Sequence, residues 1–503
     1  MKILFVGSEV MPFAATGGLG DVLGSLPASL KKNSPDDDIR LVMPLYASIG
    51  RQYRERMTFV KSFEVSLSWR KLYCGVFSLE KDGVVYYFLD NEYYFKRDSI
   101  YGNFDDGERY AFFCAAVMRL MQEIDYFPDI LHAHDWQSAL TVIYLNLKYK
   151  LIREYENIKT VFTIHNIQYQ GQYDFAILGD IFDLEYKDKQ YVEYKGCINL
   201  MKGAIHFADY VTTVSPTYAE EIMTSAYAQG LEDMLSTVSG KITGILNGID
   251  YEYYNPKTDP DIARNFTWRS LDKKTENKLS LQEYCGLPQR GDVPMFAIVS
   301  RLASHKGLDL IKYIMEDFVA NNDVQLVILG KGEGDFEDYF RYLGAKYRDK
   351  VSAQLLYDRA LSKRIYAAAD IFLMPSKSEP CGLSQMIASR YGTVPVTRET
   401  GGLADSIKGY YKDDKCNICG NGFTFRNYNA HELCDRMYAA LELFKNKEDW
   451  TKFVRKVMRE DFSWENSRRI ILPVGDIWRR DWGTFKIKSA ENGNSSSSQL
   501  KAQ

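Results

Sequence analysis

The 503-residue chain is 46% hydrophobic and 26% charged, long enough to bury two or three cores. Its formal net charge of −4 argues against a nucleic-acid binder, which carries a basic excess. No apolar run reaches the ~18 residues of a membrane span, the first residues read as a strand with no leader before it, and the eight cysteines are scattered, so the expectation is a cytoplasmic protein with reduced thiols.

In chain order, apolar runs at 3–6, 40–43, 84–89, 129–132, 160–164, 210–214 and 242–246 predict strands, with helical patterns at 110–123 and 202–207 between them. A second series follows at 295–299, 324–329, 351–355, 371–374 and 394–396. Strand-helix alternation predicts an α/β protein built on mostly parallel sheets, with strand C-termini along one rim. The polar, proline-punctuated stretch between the series holds a hinge at 256–290. It separates an N-terminal domain (1–255) from a C-terminal domain (291–465), and an atypical tail at 466–503 ends in a serine run expected to be flexible.

Several strand ends carry polar groups. The first strand is followed by Gly7-Ser8-Glu9 and then Thr16-Gly17-Gly18-Leu19-Gly20-Asp21, where the glycines make a nest of amides suited to a diphosphate. The dinucleotide spacing is absent, and so is the Gly-Lys-Ser/Thr of a P-loop. His132-Ala133-His134-Asp135 puts two histidines on one strand face; a metal site is conceivable, but a polar rim that orients a sugar or a neighbouring side chain is the preferred reading. His165-Asn166 stands at another strand end, as a donor to a ligand hydroxyl. Ser300-Arg301-Leu302-Ala303-Ser304-His305-Lys306-Gly307 joins a buried strand to an amphipathic helix, and its two cations suit a phosphate or diphosphate, although an ordinary loop with solvated charges has the same composition. Pro375-Ser376-Lys377-Ser378-Glu379-Pro380-Cys381-Gly382-Leu383 offers a carboxylate in a stiff turn and amides at a helix start; the plain alternative is an acid stabilised by the helix dipole. Thr400-Gly401-Gly402-Leu403-Ala404-Asp405 is a further glycine-rich turn, expected to face the same rim. Cys416-x-x-Cys419 lacks a second ligand pair and reads as a loop with two free thiols.

Together with Leu246-Asn247-Gly248-Ile249-Asp250, these stretches occur in an order that resembles the bacterial glycogen synthases and plant starch synthases, from Lys2 to about Ser467. The resemblance implies the GT-B fold, two Rossmann-like domains facing across a cleft. It implies retaining transfer of glucose from a nucleotide sugar, usually ADP-glucose, to the non-reducing end of an α-1,4-glucan, with no metal and no cofactor. By the same resemblance, Glu379, His165, Asp135, Arg301 and Lys306 are the catalytic set. Gly17, Gly18, Asp21, Asn247, Tyr357, Cys381, Gly382, Leu383, Thr400, Gly401 and Gly402 join Arg301 and Lys306 around the donor. The expected partners are a nucleotide sugar and an α-glucan polymer, without nucleic acid or membrane.

The chain departs from that pattern twice. The family usually has a lysine directly before Thr16, and this chain has Ala15. The alternatives left open are a UDP-glucose-preferring enzyme, a sugar-nucleotide epimerase of the same fold, and a non-catalytic glucan-binding paralogue. The stretch 468–482 contains Pro473 and Gly475 where the family continues a helix, which predicts a shortened or replaced crossover.

Overall fold

A computed structural model describes residues 1–467 of the chain. Two sheets organise it. The first contains β1 (Lys2–Val6), β2 (Asp38–Pro44), β3 (Thr58–Leu67), β4 (Arg70–Lys81), β5 (Val84–Asp90), β6 (Ile130–His134), β7 (Lys159–Ile164), β8 (Tyr210–Thr213) and β9 (Ile242–Gly244). Their order is β9-β8-β7-β6-β1-β2-β5-β4-β3. All pairings from β9 to β5 are parallel, while β3, β4 and β5 pair antiparallel as an edge extension. The central strands are apolar on both faces because helices cover both, among them α1 (Gly18–Asn33) and α2 (Asp106–Glu123).

The β3–β4 pair has no continuous apolar run and is not among the predicted strands. Its signal was period two: Phe63, Val65 and Leu67 alternate with polar neighbours, and Ser68 turns the chain at φ +55°.

The second sheet contains β10 (Met295–Val299), β11 (Gln325–Leu329), β12 (Val351–Gln354), β13 (Ile371–Met374), β14 (Val394–Arg398) and β15 (Phe423–Phe425), ordered β12-β11-β10-β13-β14-β15 and parallel throughout. The last strand was not foreseen. In both sheets the loops after the strand C-termini carry the expected site residues, where open parallel sheets present their ligands.

The expected hinge at 256–290 is not unstructured. It contains the helix Lys274–Tyr284, anchored on the second sheet. Lys274 and Lys278 are both buried. The Lys274 ammonium donates to the carbonyls of Tyr366, Ala367 and Tyr391 and to Thr393 Oγ1, at 2.9–3.1 Å. Two of those carbonyls close the helix Arg359–Ala368, whose C-terminal dipole favours a cation. Lys278 pairs with Asp370 at 2.7 Å.

After the helix Lys447–Val457 the chain returns to the first domain. Ser463 bridges to Ile249, Phe462 N donates to Tyr251 Oη, and Trp464 Nε1 reaches Ser25 Oγ at 2.8 Å. The crossover contact is therefore made by Phe462–Trp464. The expectation for 468–482, and for the tail beyond it, lies outside the described residues.

Replacing Lys274 by Met removes the ammonium from the buried Ala367 and Tyr391 carbonyls, while the Tyr366 carbonyl keeps the Thr393 hydroxyl. Unfolding free energy should fall by about 2–4 kcal/mol. A guanidinium denaturation midpoint equal to wild type would show that the helix is not held by this ammonium.

Candidate active site

Three loops of the second sheet meet at one place. Gly307 ends a short turn at φ +72°, and a Cβ there would stand 2.0 Å from the Pro375 carbonyl oxygen. That close approach fixes Ser300–Gly307 against Pro375–Leu383. Lys306 Nζ then lies 2.7 Å from Glu379 Oε2, and Ser376 Oγ donates to the same oxygen at 2.9 Å. Glu379 is buried, so its charge is held by these two donors in a low-dielectric setting. The Arg301 guanidinium is exposed and makes no hydrogen bond or ion pair among the described residues.

The third loop lies beneath. A Cβ on Gly402 would sit 2.2 Å from the Cys381 carbonyl oxygen, so only glycine permits this contact. The Gly402 amide donates to the carbonyls of Glu379 and Pro380. Thr400 Oγ1 and the Gly401 amide donate to Glu221 Oε1 at 2.8 and 3.0 Å. In this structure the Thr400 hydroxyl and the Gly401 amide are engaged by Glu221 of the first domain, and the Gly402 amide by the Glu379–Pro380 backbone. Glu221, on the helix Pro216–Glu221, was missed, because its partner lies 179 positions away in the other domain.

The opposite lip belongs to the first sheet. Buried Glu9 accepts from Thr16 N and Oγ1 and, at 3.2 Å, from Gly17 N. The carboxylate therefore shapes the turn that starts α1, and the Gly17 amide is committed to it. Burial raises the Glu9 pKa against the lowering effect of those bonds. Gly18 faces the other lip: a Cβ there would lie 3.8 Å from Leu383 Cδ1.

Beside this turn, the His132 and His134 rings stack with centroids 4.2 Å apart, and His134 Nδ1 lies 2.9 Å from His165 Nε2. Burial pushes His132 and His165 down to about 3 and His134 well below its ordinary value, so all three are neutral near pH 7. His134 Nε2 is buried without a partner. An unpartnered lone pair is tolerated more readily than an unpartnered N–H, which puts the His134 proton on Nδ1. His165 then accepts at Nε2 and keeps its own proton on Nδ1. Asp135, at φ +56°, accepts from the amides of His165 (2.7 Å) and Asn166 (3.4 Å). Burial pushes its carboxyl up to about 7, opposed by those two amides. The histidines pair with one another and with Thr163, which fits the polar-rim reading; among the described residues no cluster of three or more His, Cys, Asp or Glu is arranged to hold a metal ion.

Direct bonds join the lips. Ser215 Oγ donates to the Pro380 carbonyl at 2.6 Å, and Thr217 donates to Asp405 through N and Oγ1. Burial pushes the Cys381 thiol up to about 12, opposed by hydrogen bonds from the Asn247 backbone and side chain, which places Asn247 beside the loop. Asp21 pairs with Arg359 at 3.0 Å, and Arg359 Nε donates to Tyr357 Oη at 2.7 Å. The Tyr357 ring is exposed. Arg359 was not foreseen; its helical start gave no hint of a partner 338 positions away.

Comparison with known proteins agrees with this geometry. A family model described as "Starch synthase catalytic domain" matches residues 2–237, and one described as "Glycosyl transferases group 1" matches 286–457. A glycogen synthase of Clostridioides difficile is 46% identical over 475 residues, 93% of this chain and 98% of the relative. One of Ligilactobacillus salivarius is 46% identical over 94% of this chain and 98% of its own length. The catalytic domain of starch synthase IV from Arabidopsis thaliana, solved bound to ADP and acarbose, superposes with a TM-score of 0.87 at 32% identity, covering 94% of this chain and 98% of that one. A sucrose-phosphate synthase of Thermosynechococcus elongatus shares the fold alone, at TM-score 0.60 and 16% identity over 96% of this chain and 99% of its own. The two facing α/β domains form a GT-B fold. Among the described residues no helix is long and apolar enough to cross a membrane.

Two outcomes are expected. Gly402→Ala must displace the Cys381 backbone and with it the Glu379 loop, so kcat/KM should drop by about 100-fold; a rate within twofold of wild type would show that the loop does not depend on this contact. Asp135 keeps its proton in the folded state up to about pH 7, whereas the unfolded chain releases it near the ordinary value of 3.8. Between those pH values the folded state binds more protons, so stability falls as pH rises. Asp135→Asn removes this titration, and its Tm should decline less than that of wild type over the same range; parallel declines would refute the assignment.

Proposed function

The chain belongs to the glycogen and starch synthase family, and on that premise we propose that it transfers glucose from ADP-glucose to the non-reducing end of an α-1,4-glucan, with retention at the anomeric carbon. The observation that carries this reading is the cation pair at the rim of the second sheet. Lys306 is pinned on Glu379, and Arg301 is unpaired beside the same loop. The ADP bound by the Arabidopsis relative supports an adenine nucleotide as donor, and its acarbose supports a glucan acceptor.

In the proposed reaction the bond between the anomeric carbon and the β-phosphate oxygen breaks and its electrons go to the diphosphate. The glucan hydroxyl oxygen bonds to the anomeric carbon, and its proton passes to a leaving phosphate oxygen on the same face. Negative charge therefore grows on the diphosphate, where Arg301 and Lys306 can each supply a charge-assisted contact of about 1.5–3 kcal/mol. Glu379 orients Lys306 and the sugar. Its carboxylate accepts from Lys306 and Ser376, and that of Asp135 from the His165 amide, so each is engaged in holding its own loop. With Lys306 held by Glu379 and Arg301 free beside it to meet the leaving group, the reaction is proposed to need no metal.

The test is glucose incorporation into glycogen from ADP-glucose and UDP-glucose in parallel, each with and without EDTA. Transfer from ADP-glucose that is indifferent to EDTA is expected. Transfer from UDP-glucose alone would reassign the donor, release of epimerised nucleotide sugar would make the chain an epimerase, and glycogen binding without turnover would make it a non-catalytic paralogue. Loss of activity in EDTA that Mg²⁺ restores would overturn the metal-free reading.

A further inference from the structure

Residues 7–24, which form the first-sheet lip of the cleft, carry the carboxylates Glu9 and Asp21 and no lysine or arginine. Asp250 adds a further negative charge felt at Asp21. Glu9 is satisfied by the Thr16 and Gly17 donors, but Asp21 has no cation on its own lip, so without Arg359 a diphosphate entering between the lips would meet cations on one side only. Arg359 changes this. It comes from the second domain, as the first residue of the helix Arg359–Ala368. Its Nη1 lies 3.0 Å from Asp21 Oδ1, in the first turn of α1, which starts at Gly18. Its Nε is bound to Tyr357 Oη. The Nη2 group makes no hydrogen bond among the described residues, and the side chain keeps 24% of its exposure. The guanidinium thus spans three features: the glycine turn, the acid behind it, and the exposed aromatic ring expected near the nucleotide base. A guanidinium with one edge committed to a carboxylate still presents N–H donors to a phosphate.

We propose that Arg359 is a donor-binding residue, supplying from the opposite domain the positive charge that the glycine-rich lip lacks. This rests on the nucleotide-sugar reading above. It gives Ala15 a physical context: the side chain at position 15 is not the only route by which a cation can reach this lip. Arg359 offsets Asp21 and leaves donors free for the diphosphate, while its bond to Tyr357 ties the base-binding end to the phosphate-binding end.

The test titrates ADP and adenosine into the full chain by calorimetry, for wild type, Arg359→Ala, Arg359→Lys and Ala15→Lys/Arg359→Ala. Arg359→Ala should weaken ADP by about tenfold or more, the loss of one charge-assisted contact, and adenosine by less than about twofold. Arg359→Lys should fall between wild type and Arg359→Ala. Ala15→Lys should recover part of the lost ADP affinity in the Arg359→Ala background. Equal weakening of ADP and adenosine would make Arg359 a latch or a support for Tyr357 and overturn the proposal; so would unchanged ADP affinity. If Arg359→Ala does not fold, judged by its Tm, Arg359→Gln decides, because it keeps a hydrogen-bonding side chain and loses the charge: weakening confined to ADP supports the proposal, and unchanged or equal weakening overturns it. Wild type that binds UDP in place of ADP moves the same comparison to UDP and uridine and corrects only the donor. Wild type that binds neither nucleotide removes the donor reading itself, and this proposal with it.

Discussion

Backbone pressed against backbone is the constraint on which the site depends. Gly402 lies where any side chain would collide with the Cys381 carbonyl, and Gly307 where it would collide with Pro375. Because these contacts have no flexible atoms in them, the loops after β10, β13 and β14 move as one body or not at all. The Lys306–Glu379 pair is built on top of that body. A cation held in place before the substrate arrives needs little reorganisation when charge develops on the leaving group, which is where preorganised electrostatics acts most strongly. The glycines thus fix the ground on which the Lys306–Glu379 pair stands.

The two domains meet through hydrogen bonds and ion pairs. Ser215 to Pro380, Thr217 to Asp405, Glu221 to Thr400 and Gly401, and Asp21 to Arg359 are all polar, and each can be exchanged for water. Interfaces of this composition open at small cost, unlike an apolar seam. Glu221 and Ser215 act on the rear of the Glu379–Leu383 loop. The first domain therefore supports the loop from one side and faces it across the cleft from the other, through Gly18 and Leu383. Closure and correct loop geometry are linked by the same contacts.

Most of the scaffold was legible in the sequence because buried parallel strands announce themselves as apolar runs, and the rim residues follow from strand ends. Arg301, Lys306, Glu379, His165 and Asp135 all emerge at such ends. What the sequence hid depends on pairing at a distance. Lys274 and Lys278 stand in a polar, charged stretch, yet each finds its acceptors in the second domain's core. The Thr400–Gly402 stretch reads as a glycine-rich turn facing the rim, and the partners of its donors, Glu221 and the Glu379 carbonyl, are distant in sequence. The β3–β4 pair was hidden for a different reason: a half-exposed edge extension alternates instead of running apolar.

Charge in a cleft is a property of the whole cleft and not of one position. At position 15 the methyl group packs tightly against α1, since a Cβ on Gly20 would come within 2.3 Å of it. A longer side chain there would have to leave along the turn, toward the lip, and a lysine so placed would add a cation close to Asp21. Arg359 already puts one there, from a helix whose own N-cap, Asp358, is engaged with the Leu361 amide and leaves the arginine free to reach outward. Two like charges at one acid would compete for it, with a Coulomb penalty on the order of 1–4 kcal/mol at ~4 Å in a surface setting. On this reasoning Ala15 and Arg359 belong to one arrangement. The cleft keeps a single cation at the glycine turn, and the domain that supplies it also carries Arg301 and Lys306.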